Sequence, residues 1–144
     1  MKIYIWFPML VSLGLGFTFM NIPPLSQQFM DMLNVSYGGL SFLLSGLFWS
    51  HAFGQLPAGL IADRFNPWTT LMAGLAIAIA ANAAPFIDPH SLALATAMRF
   101  FLGAGTSLSF LATMKVLLIL APSEKITSIQ GVQGAAFSLG FVLP

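Results

Sequence analysis

"LSFLLSGLFWSHAFGQLPAGLIADRFNPW", residues 40–68, is a long apolar run that ends abruptly on an acid and a base. From Leu40 to Ala62 it holds no Asp, Glu, Lys or Arg. About 20 mostly apolar residues suffice to carry a helix across the hydrocarbon core of a bilayer. The stretch therefore reads as a membrane helix, and Asp63 and Arg64 mark the point where water again permits charge.

The rest of the chain agrees. Of its 144 residues 58% are hydrophobic and only 6% are charged. Nine Lys, Arg, Asp and Glu side chains cannot furnish the polar surface a soluble domain needs, so lipid must solvate the chain. Four further runs approach spanning length. The expected helices are residues 4–20, 40–62, 68–87, 91–114 and 126–144. Helices are expected throughout, because lipid leaves unpaired backbone groups unsatisfied and no alternating pattern suggests a barrel. The amino-terminal run could pass for a signal peptide with Lys2 as its basic end. It lacks a small-x-small cleavage site and reads as a retained first helix.

Several function classes fall away. A net charge of +1 with no basic run gives no nucleic-acid signal. There is no cysteine, and the two histidines, His51 and His90, are far apart in sequence, so no metal site is expected. No enzyme motif and no cofactor motif is present. The expectation is a non-enzyme without cofactor.

The connectors carry turn chemistry. Pro23-Pro24 should interrupt the chain after the first helix, and Ser36 is a plausible N-cap for the second. Pro122 and Ser123 precede the fifth, with Glu124 near its positive end. Counted alternately, Lys2, Arg64, Lys115 and Lys125 fall in connectors on one side, and the opposite connectors contain no Lys or Arg. The positive-inside rule then places the N-terminus and the Asp63 turn in the cytoplasm, with the plasma (inner) membrane the expected location. The sequon Asn34-Val35-Ser36 would face outward, but such tripeptides are common by chance.

Within the second helix Gly46, Ser50, Gly54, Ala58 and Ala62 recur every four residues and form one small-residue stripe. In lipid such a stripe lets two backbones approach closely, but it does not name the partner. Beside it lie His51 and Gln55, again four apart, with Trp49 nearby. A polar pair in mid-membrane faces protein or water. It either ties two helices together or lines a solute pathway.

Residues 40–68 resemble the end of the second helix and the following loop of the major facilitator superfamily. The family pattern there is G-x-L-A-D-R-x-G, and Gly59, Ala62, Asp63 and Arg64 match it in register. Asn66 stands at the second Gly, where its tolerance of a left-handed backbone would preserve the turn. Pro67 and Trp68 stand where basic residues are usual. "MRFFLGAGTS" resembles the family's fourth helix, with Arg99, Gly103 and Gly105 at the matching positions. "GAAFSLGFVLP" resembles the approach to the Gly-Pro motif of the fifth.

The resemblance implies an all-α polytopic bundle and a secondary transporter working by alternating access. It also implies that this chain is the front part of a twelve-helix protein, a truncated N-terminal half-bundle lacking its C-terminal half. Asp63 would then meet a helix end of the other half and act, with Gly59 and Arg64, as a gate element. Arg99 is the sharpest clue, because an intramembrane cation is costly and no carboxylate lies within an expected span. It either bonds backbone carbonyls structurally or makes the cavity suit an anionic solute. A coupling proton would need His51 or residues of the other half. Asn21, Trp49 and Gln55 complete the cavity candidates. The competing reading is a membrane module that transports nothing, such as a truncated paralogue or an assembly partner.

Overall fold

The computed structural model describes residues 3–83 and 87–143. Lys2, Pro144 and the end of the third expected span, at 84–86, lie outside the described residues. Six helices follow in order: α1 (Ile3–Met20), α2 (Ser26–Leu33), α3 (Tyr37–Arg64), α4 (Pro67–Asn82), α5 (Leu92–Leu120) and α6 (Ile126–Gly140). Among the described residues there is no strand. Five of the helices answer to the five expected spans, and α2 is an addition.

The helix ends have local causes. Ser36 Oγ accepts from the Gly39 amide, Asn66 Oδ1 from the Trp68 amide and Ser91 Oγ from the Leu94 amide, so α3, α4 and α5 start on side-chain caps. Pro67 opens α4, where its missing N–H costs nothing. Asn66 thus serves as a cap at φ −59°, not as a left-handed residue, which corrects the expected turn. The left-handed residue is Asn34 at φ 52°, which closes α2. Pro8 and Pro57 sit inside α1 and α3, as membrane helices tolerate.

The residues 21–39 connector is more ordered than its prolines suggest. Pro23–Leu25 forms a 3-10 turn, and α2 then folds back, burying Met30 and Leu33 against Ile22, Leu40 and Leu43. The apolar spacing of Phe29, Met30 and Leu33 was the available signal. The His90 ring nitrogen Nδ1 lies 2.8 Å from the Met32 carbonyl; because a carbonyl only accepts, Nδ1 carries the hydrogen.

At 1.5 Å per residue, α3 and α5, of 28 and 29 residues, are each roughly 42 Å long, against about 30 Å of hydrocarbon. Ile5–Leu33 and Leu92–Leu120 are long and apolar enough to cross a membrane. α5 is the central element, packed between α3 and α4, and α1 packs on α6 and on α5. The small-residue stripe of α3 finds its partner here. Ser50 Oγ donates to the Phe100 carbonyl at 2.6 Å, and Gly54 faces Ser107. Gly103 reciprocates, seated against the α3 backbone at Leu47 and His51. Gly105, on another face of α5, meets Gly74 and Ala78 of α4. The large apolar side chains that remain exposed on α3, including Phe42, Phe53, Leu56 and Leu60, suit lipid or another protein surface.

Candidate functional site

Arg99 projects from α5 about 10 Å in from Leu92, counting seven residues at 1.5 Å. Its side chain is 91% buried, being only 9% exposed. Both terminal guanidinium nitrogens donate to Asn21 Oδ1, each at 3.1 Å. Asn21 is the residue after α1, held by the buried Ile22 and the Pro23-Pro24 turn behind it. Its Nδ2 donates onward to Asn82 Oδ1 at 3.3 Å, and Asn82 Nδ2 donates to the Ala78 carbonyl at 3.1 Å. Every donor in this chain points the same way, from the cation through two neutral amides to a backbone oxygen. Three helices are thereby tied at one end of the bundle.

Neither expectation for Arg99 anticipated that arrangement: its partner is a side-chain amide rather than a backbone carbonyl. Among the described residues no carboxylate pairs with it. A cavity of about 30 Å³ abuts the guanidinium, lined also by Asn82, Ile22, Leu43, Met98 and Phe29. That is room for a water, not for a solute of any size. Phe29 comes from α2, so the unexpected helix closes the cavity.

The second polar group lies further along α5. His51 Nδ1 is 3.1 Å from Thr106 Oγ1, and His51 Nε2 is 3.3 Å from Gln55 Nε2. Thr106 spends its hydroxyl hydrogen on the Gly103 carbonyl at 3.0 Å, so its oxygen accepts from His51 Nδ1–H. The other ring nitrogen then accepts from the Gln55 amide. With these donors and acceptors, neutral His51 is assigned as the Nδ1–H tautomer with its lone pair at Nε2. Aromatic rings surround it: Phe19 edge-on at 4.9 Å, Phe137 stacked at 6.4 Å and Phe110 at 6.4 Å.

Asp63 and Arg64 form the last turn of α3 rather than the loop after it. Asp63 is 65% exposed and makes an ion pair with Lys115 of α5. Lys115 was expected in a connector, but α5 runs on to Leu120 before Ala121-Pro122 ends it, because Val116 and Leu117 continue its buried face. Gly59 has nothing within 4 Å of the position a Cβ would take. Trp49 joins neither polar group. It is exposed on the far side of α3 and stacks on Phe53 at 5.4 Å. Asn82 and Thr106 were not singled out in the sequence; Asn82, the one amide in the apolar run after Trp68, was the findable signal.

Long helices with buried glycine crossings, a buried cation and polar chains joining helix to helix define a polytopic helical membrane bundle. The Major Facilitator Superfamily model matches residues 8–143, and the chain belongs to that superfamily. Its members are integral membrane proteins that transport small solutes. No curated protein and no solved structure gives a significant match.

Proposed function

We propose that this chain is the N-terminal half-bundle of a secondary active transporter that carries a small anionic solute by alternating access. The observation that carries the choice of solute is Arg99, a buried cation whose held nitrogens meet only a neutral oxygen. A cation without a counter-charge is costly inside a bilayer, and an anion held within its field at the face shared with the other half recovers part of that cost without entering the water-sized cavity. The two guanidinium hydrogen bonds to Asn21 fix the position of the positive charge without neutralising it.

In this reading the two halves rock about a central site, and the C-terminal half supplies its other wall. Arg64, Lys115 and Lys125 cluster at one end and the opposite connectors carry no basic residue, which supports a cytoplasmic Asp63 end. There Asp63, oriented by Lys115, acts as a gate carboxylate towards the other half. A carboxylate at a helix N-terminus gains up to about 1 kcal/mol at exposed sites, which biases two states without locking them.

The test is uptake of a panel of radiolabelled carboxylates and organic phosphates into proteoliposomes by the full-length transporter. Arg99→Gln should abolish anion uptake and Arg99→Lys should retain part of it. Normal anion uptake by Arg99→Gln overturns the proposed solute class. Transport of no solute by any form of the protein returns the chain to the reading of a membrane module.

A further inference from the structure

His51, Gln55, Gly59 and Asp63 are spaced four apart and therefore lie along one edge of α3. That edge is the polar one of a helix otherwise apolar to lipid. A groove of about 490 Å³ follows it, lined by Gln55, Leu56, Gly59, Leu60 and Asp63 with Leu111 of α5. Its upper end lies at the amide that touches His51 Nε2, and its lower end at the exposed Asp63 carboxylate. Along the helix the distance from His51 to Asp63 is about 18 Å, twelve residues at 1.5 Å. Gly59, with no neighbour at its Cβ position, leaves the middle of the groove open. An exposed amide at this depth is expensive against hydrocarbon, which favours water over lipid beside Gln55, although Leu56 and Leu60 on the same groove are apolar.

We infer that His51 Nε2 is a proton-binding site inside the bundle, served from the Asp63 end through the water-filled groove along α3. It extends the transporter reading by naming a site for a coupling proton on this half. Hydronium in the groove gives its proton to the Nε2 lone pair and leaves as water; the imidazole becomes imidazolium, and no other bond changes. Thr106 holds Nδ1–H in both states, because its own hydrogen stays on the Gly103 carbonyl. Gln55 serves both states too. Its NH2 donates to neutral Nε2, and a half-turn of the exposed amide presents Oε1 to Nε2–H.

The groups facing His51 favour such a switch. From α1 comes Phe19, from α6 Phe137, and from α5 Thr106, Phe110 and the Gly103 backbone. None is ionisable. The charges nearest along the helices are Arg99, about 10 Å up α5 from Thr106, Lys115, about 14 Å down it, and Asp63. The imidazolium would therefore be stabilised by the Thr106 hydroxyl oxygen and the Gln55 amide oxygen rather than by a carboxylate. A charge gained here, one helix crossing from Arg99, makes proton binding and anion binding favour each other.

The experiment uses the whole chain in lipid nanodiscs, with His90→Asn leaving one imidazole. The 15N shifts of His51 are followed from about pH 4 to pH 9, the range that brackets an imidazole's charge change. A single transition is expected, with the hydrogen on Nδ1 in the neutral form. Gln55→Glu should move it up by about one pH unit or more, and Gln55→Leu should move it down. Access is read separately: the chain has no native cysteine, so Gly59→Cys and Phe53→Cys each place one thiol. A charged thiosulfonate should modify Gly59→Cys at least about tenfold faster than Phe53→Cys, because only thiolate in water reacts. An imidazole that stays neutral throughout, a transition that neither Gln55 variant moves, or equal thiol reactivity overturns the inference. None of these readouts uses solute, so Arg99-dependent anion uptake with a silent His51 would refute the proton site and leave the transporter standing.

Discussion

Gly103→Ala is expected to be among the most damaging single-methyl additions in this bundle. A Cβ at that position would lie 2.8 Å from Ser50 Cβ and 2.9 Å from the His51 amide nitrogen, and closer still to the Leu47 carbonyl oxygen. Two of these three atoms are backbone of α3, so no rotamer change relieves them. Reaching the 3.4 Å of ordinary contact from 2.8 Å requires α3 to withdraw from α5 by about 0.6 Å, and the Leu47 oxygen demands more. Withdrawal stretches the Ser50–Phe100 hydrogen bond from 2.6 Å and the His51–Thr106 bond from 3.1 Å. Overpacking of this kind costs roughly 1–3 kcal/mol, and each interhelical hydrogen bond lost in a membrane roughly 0.6 kcal/mol. The sum is about 2–4 kcal/mol. Gly59→Ala is the control: its methyl meets nothing within 4 Å and it removes a helical glycine, so the change should be neutral or favourable. The assay is reversible unfolding in mixed micelles, read as the difference between the two variants. Equal stability of Gly103→Ala and Gly59→Ala would refute the close α3–α5 crossing.

Two further outcomes follow from the polar groups. Asn21→Leu strands the Arg99 guanidinium and Asn82 Oδ1, at roughly 1–3 kcal/mol for each orphaned group; adding Arg99→Leu should recover much of the loss in the same unfolding assay, and a strictly additive double variant would disprove the coupling. A double-mutant cycle on Asp63→Ala and Lys115→Ala should give a coupling below about 1 kcal/mol that falls with added salt, because Asp63 is largely exposed.

Much of the fold was legible because lipid imposes so few solutions. A run such as Leu40–Ala62 without charge can only be a helix, and five such runs make a bundle. The caps at Ser36 and the break at Pro23-Pro24 were legible for the same local reasons. Helix ends were harder. Lys115 looked like a connector residue because charge was taken to mark the membrane boundary, whereas α5 continues past it along its buried face. Asn66 looked like a left-handed turn residue from a family pattern, and the adjacent Pro67 made it a cap instead.

The sequence by itself determined the solvent, the helical class, the approximate places of five helices and, through Asp63-Arg64 and Arg99, the family. Each is a consequence of residue type and spacing along one segment. The tertiary structure alone decided who meets whom. It set the small stripe of α3 on α5, turned Trp49 away from the polar core, gave Arg99 the amide of Asn21 and gave His51 the hydroxyl of Thr106. Those partners lie 50 to 78 residues apart in the chain. Helical periodicity says which face a side chain occupies; only the packing of one helix on another says what that face touches.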